Sequence, residues 1–170
     1  MTTYIALLRA VNVGGTTPLP MNTLKAVCEA QGFTNVRTYI ASGNVVFRSA
    51  KSEAAVKAAL EAALKAETGK AIRVALRSAE ALAAVLAGNP FPHAEAKFTL
   101  AIFLDGKPTR AMLDAVTGQA DEELALGTRE IYAYYPSGQG RSKLKIKGAE
   151  DGTARNMNTI AKLVAMAQES

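Results

Sequence analysis

The stretch "TNVRTYIASGNVVFRS", residues 34–49, joins two apolar runs through a tight turn, and it decides the fold. In the first run Val36, Thr38 and Ile40 recur at every second position, which is the period of a half-buried strand. The letters "ASGN" are typical turn residues, and "VVFRS" continues as a second strand. The stretch is therefore predicted to be a β-hairpin.

One strand and one helix precede this hairpin, and one helix and one strand follow it. The resulting order over residues 1–78, βαββαβ, is that of the ferredoxin-like split βαβ arrangement. It predicts a four-stranded antiparallel sheet with two helices on one face. The flanking elements are a strand "TTYIALLR" (2–9), a helix after Pro18 and Pro20 that ends at Gly32, a helix from about Ser52 to Thr68 closed by Gly69, and a strand "AIRVALR" (71–77).

The second half, residues 79–170, echoes this order without repeating the sequence. Its predicted order is βαββ-loop-α, preceded by one short helix, so the chain is predicted to be an α+β protein of two subdomains, 1–78 and 79–170. The predicted elements are a helix 79–87, a strand "KFTLAIFL" (97–104), a helix from Pro108 to about Val116, a hairpin of "EELAL" and "REIYAYYP", a basic glycine-rich loop 137–152 and a final helix 153–168.

Charge is distributed unevenly along this basic chain, whose formal net charge is +5. Residues 1–78 carry ten lysines and arginines against four acidic residues, a net of +6, which favours the first half as a surface for anions. The same surplus could serve solubility alone. The two interpretations stay open at this point.

Cysteine and histidine occur once each, as Cys28 and His93. A single cysteine cannot form an internal disulfide, and one residue of each type cannot make a typical structural zinc site. Cys28 shares an apolar helical face and is predicted to be a core residue. Without a signal peptide or an apolar run of membrane-spanning length, we expect a cytoplasmic protein with no metal and no membrane contact.

Polar and glycine residues are predicted to meet at one edge of the first sheet. In a split βαβ unit, the end of strand one and the hairpin between strands two and three lie at the same edge. Glycine N–H groups, arginines and amides there could hold an anion, although the same residues are also ordinary turn formers. The predicted ligand-binding residues are Arg9, Asn12, Gly14, Gly15, Arg37, Tyr39, Ser42, Gly43 and Asn44, with Arg155, Asn156 and Asn158 from the start of the last helix.

Three functions fit these patterns. The first is binding of a phosphorylated or other anionic small molecule at the loop 11–15 and the hairpin 37–44. The second is nucleic-acid binding through the basic first half and the alternating cations of the loop, although the aromatic signature of RNA-recognition strands is missing. The third is a scaffold or dimerisation module without a ligand. The loop cations are Arg141, Lys143, Lys145 and Lys147.

Catalysis is left open by the sequence. Carboxylates are available at Asp105 and at 121–123, but none stands beside a recognisable base or metal ligand. The catalytic residues, cofactors and oligomeric state are therefore unassigned. We further predict that the glycine-rich segment 137–152 is the most mobile internal part of the free protein.

Four motifs together resemble the bacterial domain-of-unknown-function family 1697: "ALLRAVNVGG", "VRTYIASGNVVF", "NPF" and "TARNMNT". The family's usual "RGINVGG" is present as residues 9–15, with Ala10 in place of glycine and Val11 in place of isoleucine. Its usual "RNWNT" is present as residues 155–159, with Met157 in place of tryptophan, which removes an aromatic platform. The resemblance implies a two-subdomain α+β fold with ferredoxin-like halves and supplies no activity.

Overall fold

The computed structural model describes residues 1–13 and 16–169, which form two compact units. The first unit comprises Met1–Ala83 and Lys162–Ser170, and the second comprises Ala84–Ala161. The strands and helices are β1 Thr2–Leu8, α1 Met21–Ala30, β2 Thr34–Tyr39, β3 Asn44–Ser49, α2 Glu53–Thr68, β4 Val74–Ser78, α3 Ala79–Ala87, β5 Thr99–Phe103, α4 Arg110–Asp114, β6 Glu123–Leu126, β7 Glu130–Tyr134, β8 Thr153–Asn156 and α5 Met157–Gln168.

The first unit has the predicted ferredoxin-like sheet, with strand order β2-β3-β1-β4 and every neighbouring pair antiparallel. Helices α1 and α2 bury Leu24, Leu60 and Leu64 completely against this sheet. Phe33 stacks on Phe47 of β3, with ring centroids 4.4 Å apart. The α+β fold class and the βαββαβ order of this unit are therefore confirmed.

Cys28 lies in the core of this unit, as predicted, and is fully buried. Burial, with a smaller contribution from the neighbouring Glu29 carboxylate, raises the pKa of its thiol to about 12. The thiol is therefore protonated at neutral pH and serves as a small apolar core residue.

The second unit repeats the topology of the first, with strand order β6-β7-β5-β8. The predicted final helix 153–168 was wrong at its start: residues 153–156 form the fourth strand β8, and α5 begins at Met157. Thr153 and Arg155 are buried where β8 pairs with β5, so tertiary pairing outweighs the helical spacing read from the sequence. The order of elements from β5 to the end of the chain is thus βαββ-loop-βα.

Helical cover is thinner in the second unit than in the first. Helix α4 spans five residues, against ten in α1. Between β7 and β8, where the first unit has the 16-residue α2, the chain forms one short 3₁₀ turn, 139–141, and an extended segment. The four loop cations are exposed at alternate positions, with Ser142, Leu144 and Ile146 half-buried between them. The high mobility predicted for 137–152 stays a prediction.

This extended segment is fastened to the second unit by Glu122. The Ser142 hydroxyl and the Ala120 N–H both donate to the Glu122 carboxylate, and these hydrogen bonds lower its pKa below the ordinary value of 4.5. Because the folded pKa is the lower one, the stabilisation is present above about pH 4.5 and is lost as the pH falls through the folded value.

We therefore expect the hydrogen-exchange protection of the Lys145 amide, which donates to the Thr117 carbonyl at 2.8 Å, to fall below about pH 4.5 after correction for the intrinsic exchange rate. Glu122→Gln should remove this pH dependence. The same profile in both proteins would contradict the assignment to Glu122.

Membrane-spanning helices and metal-binding groups were sought among residues 1–13 and 16–169, which the structure describes. None of their helices combines the length and the apolar content needed to cross a membrane. Their histidine, cysteine and carboxylate side chains form no group of three or more that could hold a metal ion.

Candidate functional site

The end of β1 and the β2–β3 turn lie side by side, as the topology predicted. Leu7 pairs with Asn44, and the Leu8 N–H donates to the Gly43 carbonyl at 2.8 Å. The polar residues of the two segments therefore converge at one sheet edge.

Asn12 is the central polar group at this edge, and its side chain bonds to the protein itself. Its Nδ2 donates to the carbonyls of Leu19 and Ala41, at 2.7 and 2.9 Å. Its Oδ1 accepts from the Leu19 N–H at 2.6 Å. The amide thus joins the loop after β1 to the approach of α1 and to the hairpin turn.

The hairpin turn is closed by its own polar groups. Asn44 is fully buried, and its Nδ2 donates to the Tyr39 carbonyl and to the Ser42 hydroxyl, each at 2.9 Å. Gly43 has a φ of +89°, and a Cβ there would lie 2.7 Å from Cγ2 of Val11. The loop and the hairpin are therefore in direct contact, and these groups have structural partners on the side where we predicted an anion.

The other predicted site residues are spread over both units. Arg37 on β2 donates through Nη1 to the Met166 carbonyl at 2.7 Å, near the end of the last helix. Gly14 and Gly15 lie outside the described residues. Arg155, Asn156 and Asn158 belong to the second unit.

Those second-unit residues have identifiable local surroundings. Arg155 is buried on β8, where desolvation lowers the pKa of its guanidinium to about 10, and its Nη1 donates to the Ala154 carbonyl at 2.9 Å. Asn156 caps α5, because its Oδ1 accepts from the Thr159 N–H at 2.9 Å. Asn158 is exposed in the first turn of that helix.

An open cleft lies on the other side of the β1 terminus, against the start of β4. The Arg9 N–H donates to the Arg73 carbonyl at 3.0 Å, which brings the two segments together. The cleft has a volume of about 320 Å³. We call it the Arg9 cleft; its lining residues are Arg9, Ala10, Thr16, Thr17, Lys70, Ala71, Ile72 and Arg73.

The Arg9 cleft is basic and polar. Three cationic side chains, Arg9, Lys70 and Arg73, and two threonines line it, and the described lining residues include no carboxylate. Arg9 was among the predicted site residues, and Lys70, Arg73 and the two threonines were not. The topology contained the signal, because β4 runs antiparallel to β1 and its first residue, Val74, pairs with Leu8.

Backbone strain accompanies this cleft. Ala10 and Asn12 both have a φ of +56°, in the left-handed region that favours glycine. Asparagine tolerates that region better than alanine does, so the strain is concentrated at Ala10. This exposed alanine is one of the residues that line the cleft.

These features define an α+β protein of two ferredoxin-like units, with a basic cleft where the first strand ends. The chain belongs to the family described as "Protein of unknown function (DUF1697)", whose model matches residues 1–132. Among solved structures it is similar to a conserved bacterial protein from Streptococcus pneumoniae, at 26% identity with 98% of each chain covered and a TM-score of 0.81. No curated protein matches the chain.

The family's usual glycine at position 10 agrees with the left-handed backbone of Ala10. Replacing Ala10 with glycine should relieve about 1–2 kcal/mol of strain, less about 0.4–1 kcal/mol for the added freedom of the unfolded chain. We expect a net stabilisation of about 0.5–1 kcal/mol in urea unfolding. Ala71→Gly, on the opposite wall of the cleft, is the control and should be neutral or destabilising. A destabilised Ala10→Gly would refute the strained conformation.

Proposed function

We propose that this protein binds a phosphorylated or other anionic small molecule in the Arg9 cleft. The observation that supports it is the meeting of Arg9, Lys70 and Arg73 around one cleft of about 320 Å³. Two arginine forks and an ammonium offer charge-assisted hydrogen bonds to phosphate oxygens, and threonine hydroxyls can add neutral ones. The proposal keeps the predicted ligand class and the predicted loop, and moves the binding groups from the hairpin to the start of β4.

The size of the cleft favours a small ligand. Its volume lies near the lower end of the range for small-molecule sites, roughly 300–1,000 Å³. A phosphate or sugar phosphate fits this volume, whereas a nucleic-acid strand needs a longer groove of cations. The net charge of +6 over residues 1–78 would favour the approach of such an anion.

The test is isothermal titration of the full chain with inorganic phosphate, pyrophosphate and ribose 5-phosphate. Arg9→Ala and Arg73→Ala should each weaken binding by about tenfold or more, because a hydrogen bond to a charged group contributes roughly 1.5–3 kcal/mol. Arg110→Ala is the matched control, since this arginine is exposed on α4 in the second unit. Equal affinity of both cleft variants and the parent would place the ligand elsewhere, and no binding of any probe would favour a scaffold.

Nucleic-acid binding is the second candidate, and it is supported by the exposed cations at alternate positions 141–147. Polyanion binding through several phosphates should fall steeply with salt, whereas one phosphate held in a cleft should show a shallow dependence. Titration of a short single-stranded RNA at two salt concentrations separates the two. Lys143→Gln should weaken RNA binding and leave phosphate binding unchanged. Arg9→Ala should weaken phosphate binding more than RNA binding.

A further inference from the structure

The helix-facing sides of the two sheets can be compared position by position, because their strand pairings correspond. In the first unit Tyr4 pairs with Phe47, and in the second Leu100 pairs with Ala133. Likewise Ala6 pairs with Leu76, and Ile102 pairs with Ala154. Two large apolar side chains of the first sheet, Phe47 and Leu76, are thus replaced by alanines in the second.

The cover over this face also differs. In the first unit α1 and α2 fill the space, and Tyr4, Ala6, Phe47 and Leu76 are all buried. In the second unit the five-residue α4 and the extended chain 142–150 are the counterparts of those helices. There Ile102, Leu124, Leu144 and Ala154 remain half-buried around the smaller core.

Under this thinner cover lies an open pocket of about 630 Å³, which we call the second-unit cavity. Its volume lies within the range of small-molecule sites, roughly 300–1,000 Å³, which are lined mainly by apolar side chains with a few polar groups. Its inner wall is apolar and includes Ile102, Leu144 and Ile146, with the ring of Tyr135. Lys145, Lys147 and Glu150 also line it.

The wall formed by the extended chain is held in place. Thr117 and Lys145 exchange two backbone hydrogen bonds, at 3.0 and 2.8 Å. Gly118 allows this close approach, because a Cβ there would lie 2.0 Å from the Lys143 carbonyl oxygen. Glu150 is engaged locally as well, since its carboxylate accepts from the Gly148 N–H at 2.8 Å. Of the three charged residues in the lining, the two lysines have side chains that can donate to a ligand.

We propose that the second-unit cavity binds a small organic anion with an apolar body, placing the body against Ile102, Leu144 and Ile146 and the acid group beside Lys145 and Lys147. The apolar wall selects the body through the area it removes from water, and the two ammonium groups select an acid over a neutral head group. The cavity shares no residue with the Arg9 cleft, and this proposal does not depend on that one.

Decanoate and decanol are suitable probes, because they have the same apolar body and differ in charge. Titration of the full chain at low salt should give saturable binding of one decanoate, with decanol bound at least about threefold more weakly. Absence of saturable decanoate binding overturns the proposal. Equal affinity for the two probes overturns the choice of an anion.

Two sets of variants locate the ligand. Ala149→Phe and Ala115→Phe narrow the cavity and should weaken decanoate by about fivefold or more, whereas Ala62→Phe on the exposed side of α2 should not. The double variant Lys145→Gln/Lys147→Gln should weaken decanoate by about three- to tenfold and leave decanol unchanged. Arg141→Gln/Lys143→Gln removes the same charge from the same segment outside this cavity and is the matched control.

Circular dichroism checks that each variant is folded. The double lysine variant keeps the test valid if a phenylalanine variant fails to fold, because both lysines are exposed. Unchanged decanoate affinity in the folded phenylalanine variants, or an equal loss in both double variants, places the ligand outside this cavity.

Discussion

Replacing Gly43 with alanine is expected to destabilise the protein by about 3 kcal/mol, the sum of left-handed strain and overpacking. Gly43 has a φ of +89°, and the new Cβ would lie 2.7 Å from Cγ2 of Val11 and 3.0 Å from Cβ of Leu8. Both neighbours belong to the buried core at the end of β1, so neither can move freely. The measurement is the urea midpoint with folding followed by circular dichroism.

Gly32→Ala is the matched control for this prediction. Gly32 has a φ of +83°, but nothing lies within 4 Å of its added Cβ. Gly32→Ala should be destabilised only by left-handed strain, by about 1–2 kcal/mol. Equal losses at the two glycines would show that the contact between the turn and Val11 contributes nothing to stability.

Replacing Asn12 with alanine is expected to destabilise the protein by about 2–3 kcal/mol, because three hydrogen bonds of roughly 1 kcal/mol each are lost. The side chain of Leu19 is almost completely buried, so its N–H, once separated from Oδ1, has little access to replacement water. Asn12→Asp keeps the acceptor for the Leu19 N–H but sets a carboxylate oxygen against the Leu19 and Ala41 carbonyls, so it should destabilise the protein at least as much as alanine does.

Asn35→Ala controls for the backbone conformation, since Asn35 has a similar φ of +51° and is exposed to solvent. It should cost less than about 1 kcal/mol. If Asn12→Ala and Asn35→Ala have the same urea midpoint, the clamp to Leu19 and Ala41 is energetically unimportant, and the amide of Asn12 becomes a candidate ligand group again.

The residues around the end of β1 have two separate roles. Asn12 and Gly43 hold the loop against the hairpin, and their loss should reduce stability. Arg9 lines the Arg9 cleft with Arg73, and its loss should reduce the affinity for the proposed anionic ligand. A ligand titration combined with a urea curve on each variant separates the two roles.

The sequence by itself determined the first unit almost completely. The alternation in 34–49, the capping pattern at Ser52 and Gly69, and the prolines before α1 are local signals, and local signals specify single elements. Ser52 accepts from the Ala55 N–H, and Gly69 ends α2 with a φ of +75°. The order of these elements predicted the ferredoxin-like topology, and that topology also placed Leu7 beside Asn44 at one edge of the sheet.

Only the tertiary structure decided that residues 153–156 form β8 and which partners the polar side chains contact. Residues 153–156 have the spacing of a helix start, and their pairing with β5, fifty residues or more away in sequence, makes them a strand. Likewise, Asn12 and Asn44 have the same donors whether they bind a ligand or a carbonyl of the chain. Which partner an amide finds depends on long-range distances, and the cations of the Arg9 cleft come from segments some sixty residues apart. The pattern of a single sequence does not contain the spatial distances between these groups, because the packing of the sheet fixes them.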